Sequence, residues 1–241
     1  QGPAIVLVLG TSMTVGRGLG LGCPAPYGGG AKRCAWPARL ERGLNATCGA
    51  GRFDVVTEGR GATSSGAAAR SVVPLLDELV DVSRVAVALL DFVVVDGNSG
   101  RRVGTPEGGH GTLIDALRAR VRADLPVLSV QTFCMNHYQR VRENSARGEC
   151  FRAAEAHASV ASARRACSVS YRAAVWPALG KPPGKPYWDG NAHPSWVAHQ
   201  LVADAVSFVW WKEHRAACEA VFRAWRVQAS PACCSGPWGH I

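Results

Sequence analysis

The sequence predicts an α/β protein, a three-layer α/β/α sandwich with a parallel sheet of about five strands. Two observations predict this fold. Short apolar runs rich in β-branched residues recur along the chain, and helical patterns lie between them. Strands that alternate with helices form parallel sheets covered on both faces. Apolar residues make up 47% of the 241 residues, which is enough for a large core.

Five apolar runs are the candidate strands. The first four are too short or too rich in β-branched residues to form long helices. The fifth follows an Ala-rich helical stretch, from Phe151 to Ala166. The five runs are Ile5 to Leu9, Phe53 to Thr57, Val85 to Val95, Val127 to Thr132 and Ser168 to Tyr171.

Helical patterns fill the intervals between these runs. In the first interval Trp36, Leu40 and Leu44 recur every four residues, and Pro37 suits a first helical turn. In the Ala-rich segment 66–82, Pro74 should start or kink a helix. Two further helices are predicted by apolar faces, which comprise Leu113, Ile114, Leu117 and Val121 in one and Leu201, Val202, Ala205, Val206 and Val209 in the other.

No internal repeat divides the chain. We expect residues 1–210 to form one domain. Residues 211–241 are aromatic and cysteine-rich and lack a strand pattern, so we expect a C-terminal extension held by disulfides.

The composition argues against two partner classes. The net charge is +9, but the arginines are scattered and no basic stripe or aromatic stacking motif accompanies them, so nucleic acid is not an expected partner. The longest apolar stretch, "VAVALLDFVVV", is interrupted by Asp91 and is too short to span a bilayer. We expect a soluble globular protein.

The cysteine pattern favours an oxidising compartment. Nine cysteines are present without a CxxC pair, and several flank loops, as Cys23 and Cys34 do. Asn45-Ala46-Thr47 is a glycosylation sequon, and the chain begins at Gln1 without a signal peptide. We expect a disulfide-containing protein of the secretory pathway lumen or the extracellular space.

The stretch "LGTSMTVG", from Leu9 to Gly16, forms a small-residue turn behind the first strand. The following "GRGLGLG" lacks both the GxGxxG spacing and a P-loop lysine, so it does not predict a nucleotide site. Ser12 is therefore either a nucleophile or an ordinary turn or helix-capping residue.

A second polar cluster lies in "WDGNAHPSWVAHQLVADAV", where Asp189 and His193 precede the last helix. A serine hydroxyl becomes a good nucleophile when a histidine accepts its proton, and that imidazole needs an acid to orient it. The alternative is that Asp189 is a turn residue and His193 a surface histidine.

Taken in order, these motifs resemble the SGNH or GDSL hydrolases over roughly residues 4 to 210. "GTSMTVG" resembles the family's first block, with Thr11 in place of the usual aspartate, and Trp36-Pro37 resembles the opening of its first helix. "GRGATSS" resembles the second block through Gly61, and Asp189, His193 and Pro194 resemble the last. The stretch "HPSWVAHQLVAD" looks like microalgal members.

The resemblance implies a flavodoxin-like SGNH fold and a serine esterase that uses no cofactor. It assigns Ser12 as nucleophile, His193 as general base and Asp189 as the acid that orients His193. It places the oxyanion hole at the amides of Ser12 and Gly61, with Asn98 as a further donor. The implied substrates are small-molecule or glycan esters, such as acetylated glycans, or lipid esters.

Two positions depart from the family pattern. The third block reads "FVVVDGNSG", and aligning Asp96 with the family's aspartate puts Val95 where its oxyanion asparagine stands. Three residues, rather than two, separate Asp189 from His193. These departures motivate the alternative of a catalytically impaired glycan-binding module of this fold. An acyl-transferring enzyme is an intermediate case.

Two other histidines lie near the predicted site motifs or strand ends. His199 is expected to be a helix-surface or packing residue, and His137 is a candidate for lining the substrate cleft. No His, Asp and Glu cluster has metal-ligand spacing along the sequence, so no metal is expected.

Overall fold

The protein contains a five-stranded parallel sheet flanked by helices, as expected from the sequence. The computed structural model describes residues 2–16, 31–98, 106–132, 149–171, 173–174, 188–189 and 193–226. The strand order is β2-β1-β3-β4-β5. The strands are β1 (Ala4–Gly10), β2 (Phe53–Gly59), β3 (Val85–Asp91), β4 (Val127–Gln131) and β5 (Cys167–Ser170).

Eight helices are present in the described residues. They are α1 (Ala31–Cys34), α2 (Trp36–Cys48), α3 (Ser65–Ser71), α4 (Leu76–Leu79), α5 (Val93–Asn98), α6 (Pro106–Arg120), α7 (Glu149–Ala163) and α8 (Trp196–Arg226). A short antiparallel pair, β6 (Trp188–Asp189) and β7 (His193–Pro194), precedes α8.

The inner strand β1, which lies between β2 and β3, is buried on both faces because its side chains alternate between two cores. Val6 and Val8 pack in the core that also contains residues of α2 and α8. Ile5, Leu7 and Leu9 pack in the opposite core with residues of α3, α4 and α6. This two-sided burial explains why β1 is apolar at successive positions rather than at alternate ones.

Local sequence signals account for several helix boundaries. Pro37 lies in the first turn of α2, where its missing N–H leaves no hydrogen bond unmade. Ser64 caps α3 by accepting a hydrogen bond from the Ala67 amide. Pro74 lies in a 3₁₀ turn, Val73–Leu75, which separates α3 from α4, so the predicted interruption is confirmed.

The third predicted strand was too long. β3 ends at Asp91, and Val93 begins α5, so the last part of the apolar run is helical. A continuous apolar run does not by itself separate a buried strand from a buried helix turn. Val93 is 1% exposed, so a buried helical turn accommodates this apolar residue despite the strand preference of valine.

The last helix extends beyond the expected domain boundary. α8 begins at Trp196 and continues through residue 211 to Arg226, and residues 227–241 lie outside the described part. Its predicted apolar face is confirmed, with Val202 and Val206 buried and Leu201, Ala205 and Val209 packed beside them. Cys167 is an exposed free thiol. In the described ranges, no helix is both long and apolar enough for a membrane span.

Candidate active site

The topology brings the ends of β1 and β3 together at one edge of the sheet. The two strands are neighbours, and Gly10 pairs with Asp91 at their carboxyl ends. The helix after β1 covers one face of the sheet, and the helices after β3 cover the other. The carboxyl ends of parallel strands at such a switch point are where α/β sheets bind ligands.

Ser12 lies in the turn that follows β1. Gly10 must be glycine there, because a Cβ at this position would stand 1.9 Å from Thr14 Oγ1. The Thr14 hydroxyl accepts a hydrogen bond from the Thr11 amide at 3.1 Å. This hydrogen bond holds the turn together, and the Ser12 side chain within it is half-buried.

A buried carboxylate is hydrogen-bonded to this turn and holds it in place. Asp91, at the end of β3, is fully buried, and its Oδ2 accepts hydrogen bonds from Thr14 Oγ1 at 2.9 Å and from Trp36 Nε1 at 3.3 Å. Its Oδ1 accepts a third from Thr132 Oγ1 at 2.6 Å. Burial raises the pKa of Asp91, and the three hydrogen bonds oppose that shift by stabilising the charged form.

His193 reaches Ser12 from the far end of the chain. Its Nε2 lies 3.1 Å from Ser12 Oγ, although 181 residues separate the two. Both side chains are half-buried, so the pair is accessible from solvent. The imidazole can accept the serine proton at this distance, which is the geometry that general-base activation needs.

Asp189 lies beside His193 in the backbone. The two residues are direct partners in the antiparallel pair of β6 and β7. Directly opposite residues in such a pair have Cα atoms about 4.5–5.5 Å apart. The three residues between them therefore still allow Asp189 and His193 to be neighbours. The Asp189 side chain lies outside the described part of the structure.

The turn that contains Gly61 lies next to the Ser12 turn. The Arg60 amide donates a hydrogen bond to the Gly10 carbonyl at 3.1 Å, which ties the loop after β2 to the loop after β1. Gly61 is exposed, and Ala62 has a positive φ of 61°, so the backbone turns sharply here. The predicted Gly61 donor is thus on the same rim as Ser12.

The other predicted oxyanion donor is less fully described. Asn98 is the last residue of α5, and its side chain lies outside the described part. Val95 is half-buried in α5, and its amide donates to the Phe92 carbonyl at 3.1 Å. His137, the expected cleft residue, also lies outside the described ranges.

His199 is a packing residue rather than a surface one. It is fully buried on α8, and its Nδ1 accepts a hydrogen bond from the Trp36 amide at 3.1 Å. Burial, with smaller contributions from the charges of Arg39 and His193, lowers the pKa of His199 to about 3. The neutral ring therefore caps the start of α2 by accepting from a backbone amide of its first turn. The Trp36 side chain of the same helix donates to Asp91.

The fold also assembles a cluster that sequence spacing did not predict. Asp96, His110 and His157 come from α5, α6 and α7, and all three are buried. Asp96 accepts hydrogen bonds from the Ser65 amide and hydroxyl at 3.0 and 2.5 Å. Its Oδ2 also lies 3.0 Å from His157 Nε2. The residues are far apart in sequence, so only the tertiary structure reveals them.

Solved structures share this architecture. LAE5, an alpha/beta hydrolase enzyme from the metagenome of Lake Arreo, Spain, aligns with a TM-score of 0.62 over 85% of this chain and 94% of its own, at 20% identity. Axe2, an acetylxylan esterase from Geobacillus stearothermophilus, aligns with a TM-score of 0.62 over 86% and 94%, at 17% identity.

A third similar structure is a protein of the G-D-S-L family from Desulfitobacterium hafniense DCB-2. It aligns with a TM-score of 0.59 over 86% of this chain and 99% of its own, at 15% identity. No protein-family model and no curated protein matches this sequence. The chain therefore has the three-layer α/β fold of these hydrolases, which its sequence predicted.

Proposed function

We propose that this protein is a serine-dependent hydrolase of carboxylic esters, of the SGNH type, that works through an acyl-enzyme on Ser12. The observation that carries the proposal is the 3.1 Å separation of Ser12 Oγ and His193 Nε2 at the carboxyl edge of the sheet. The fold of the acetylxylan esterase Axe2 supports the same reaction class.

In the proposed first step, Ser12 Oγ attacks the ester carbonyl carbon while His193 Nε2 accepts the serine proton. The tetrahedral intermediate collapses, the bond to the alkoxy oxygen breaks, and His193 returns the proton to the leaving alcohol. Water then attacks the acyl-enzyme with His193 again as base. The carboxylic acid is released and Ser12 is restored, so no cofactor is consumed.

Asp189 is the proposed orienting acid for His193. Its register opposite His193 in the β6 and β7 pair supports this role. Axe2 offers a parallel, because variants in which an aspartate or a histidine is replaced by alanine are each described as catalytic mutants of that enzyme. A carboxylate here would hold the tautomer that leaves Nε2 free to accept a proton.

The oxyanion is proposed to bind the amides of Ser12 and Gly61, with Asn98 as a third donor. The hydrogen bond from Arg60 to Gly10 supports the proximity of the two turns. Val95 supplies no polar side chain at the family's asparagine position. Loss of one oxyanion donor lowers a rate by about 10²–10³, so turnover would be slowed and not abolished.

The proposed substrates are acetylated glycans or lipid esters. A glycan ester is favoured, because the cysteine pattern and the Asn45 sequon are typical of lumenal or extracellular proteins, where we place this chain. Alkylation followed by mass spectrometry tests the location: disulfides should hold most of the nine cysteines unreactive until a reductant is added. A fully alkylated protein without reductant would contradict it.

The direct experiment is turnover of p-nitrophenyl acetate by the full chain and by its Ser12→Ala variant. We expect the variant to lose at least about 10³-fold in kcat. Equal rates for the two proteins would remove Ser12 from the mechanism.

Val95 favours a second candidate, a glycan-binding or acyl-transferring module of the same fold. A binding module would hold an oligosaccharide equally well with alanine at position 12 and would not turn over esters. An acyltransferase would form the acyl-enzyme but pass the acyl group to an added alcohol in preference to water. Product analysis with a competing alcohol separates transfer from hydrolysis.

A further inference from the structure

The structure contains a second cluster of chemically active side chains, which includes neither Ser12 nor His193. Asp96, His110 and His157 each offer a ligand atom, and these three atoms all lie within 4.8 Å of one another. His110 and His157 are fully buried, and Asp96 is 4% exposed. The two imidazole rings are stacked, with centroids 3.9 Å apart and planes 6° from parallel.

The hydrogen bonding of this cluster is incomplete among the described residues. Neither ring nitrogen of His110 has a hydrogen-bond partner, and Nδ1 of His157 also has none, although these atoms are buried. Buried polar atoms in native proteins nearly always have partners, and those that lack one call for an explanation such as an ion.

We propose that Asp96, His110 and His157 bind a divalent cation of the zinc class. Two imidazole nitrogens and one carboxylate oxygen form an established ligand set for Zn²⁺. Two ligands on a tetrahedral zinc stand about 3.3 Å apart, given metal–ligand distances of about 2.0–2.1 Å. The observed 3.0 Å between His157 Nε2 and Asp96 Oδ2 is close to that separation. The ion would displace the proton that these two atoms share, which is released to solvent. Stacked rings cannot both direct a nitrogen at one ion, so the His110 ring, whose nitrogens have no hydrogen-bond partner among the described residues, must turn out of the stack on binding.

The surrounding residues already orient the ligands. The amide and hydroxyl of Ser65 both donate to the Asp96 carboxylate, as outer-shell groups do around metal ligands. Gly109 lets α6 approach α3 closely, because a Cβ there would stand 2.9 Å from Ser65 Oγ. Arg164 lies nearby, and its Nε donates to both carboxylate oxygens of Asp115, which offsets its positive charge.

The ion would act structurally rather than catalytically. All three ligands are buried, so a substrate could not reach the ion, and a trapped water would complete its four-coordinate shell. The ion would fasten α5, α6 and α7 to the Ser65 segment that follows the Gly61 turn. The proposal is independent of the esterase assignment, since its readouts are metal content and spectra.

The test is Co²⁺ and Zn²⁺ binding by the purified full chain, after chelator treatment and alkylation of free thiols. We expect one equivalent of Co²⁺ with visible ligand-field bands. X-ray absorption of the zinc form should show two imidazoles and oxygen, without sulfur. His110→Leu should weaken metal binding by at least about 100-fold, because the loss of an outer-shell partner alone weakens it by up to about that factor. Glu155→Gln removes an exposed carboxylate on α7 and should leave binding unchanged.

Two results would overturn the proposal. Wild-type protein that takes up no equivalent of either metal would show that the cluster is a buried hydrogen-bonding network only. Uptake that His110→Leu leaves unchanged would place the ion elsewhere. If circular dichroism shows that His110→Leu does not fold, the wild-type absorption spectrum decides, because sulfur ligands or fewer than two imidazoles are incompatible with the proposed site.

Discussion

The hydroxyl of Thr14 donates a hydrogen bond of 2.9 Å to the buried carboxylate of Asp91 while it accepts one from the Thr11 amide. One side chain thus links the end of β3 to the turn that carries Ser12. Because Trp36 and Thr132 also donate to Asp91, α2 and the end of β4 are fastened to the same carboxylate. The position of Ser12 therefore depends on contacts from several separate parts of the fold.

Thr14→Val tests this link. The substitution keeps the shape but removes a donor to a buried carboxylate and the acceptor of the Thr11 amide, so we expect a loss of about 1–3 kcal/mol in the free energy of unfolding. Esterase activity should fall by about tenfold or more, because small displacements of a nucleophile are costly. Urea denaturation and kcat measurements check both. Thr57→Val, at a half-buried threonine on β2, is the control and should change either quantity little.

Gly10→Ala tests the steric requirement of the turn. The new Cβ would collide with Thr14 Oγ1 at 1.9 Å, and we expect a loss of about 3 kcal/mol or more. Gly43→Ala is the matched control, because its Cβ would stand 3.7 Å from Ser207 Oγ in ordinary contact. Alanine in a helix interior should stabilise by about 0.5–1 kcal/mol. Thermal unfolding that ranks the two variants alike would refute the steric account.

Asp189→Asn tests the proposed orienting acid. Asparagine preserves size but cannot stabilise the imidazolium, so kcat should fall by about 10²–10⁴ while KM changes little. Asp204→Asn removes an exposed carboxylate on α8 and should leave kcat unchanged. If Asp189→Asn retains full kcat, the site works as a serine–histidine dyad.

His199 predicts a pH dependence of stability. Its folded pKa of about 3 lies below the ordinary 6.5, so between these values the unfolded chain binds a proton that the folded chain does not. Stability is therefore fully present above pH 6.5 and declines as the pH falls, by about 2 kcal/mol at pH 5. His199→Asn keeps an acceptor for the Trp36 amide but does not titrate. Urea midpoints from pH 7 to 4 should give a shallower slope for this variant, and parallel slopes would contradict the assignment.

Much of the fold could be predicted from local patterns. The β-branched runs located all five strands of the main sheet, since two-sided burial requires apolar residues at successive positions. The same continuity concealed the end of β3, because Phe92 to Val95 is as apolar as the strand before it. The helical periodicity of apolar residues also located α8. His199 lies three residues before Val202 and seven before Val206, on the buried face of that helix, and this spacing could have predicted that His199 is buried.

The site was predictable only where a motif marked it. Ser12 and His193 follow recognisable turns, and the structure brings them together. Asp91 has no motif, because its role depends on donors that lie 41, 55 and 77 residues away in sequence. Asp96, His110 and His157 likewise converge only after three helices pack, so no spacing along the chain could reveal them.

Fluorophosphonate labelling tests the central claim most directly, because the probe reacts with a serine that a neighbouring base has activated. We predict one covalent adduct per chain, mapped by mass spectrometry to Ser12, with labelling at least about 10³-fold slower in His193→Ala. An unlabelled wild-type protein, or an adduct that forms equally fast without the imidazole, would contradict the account.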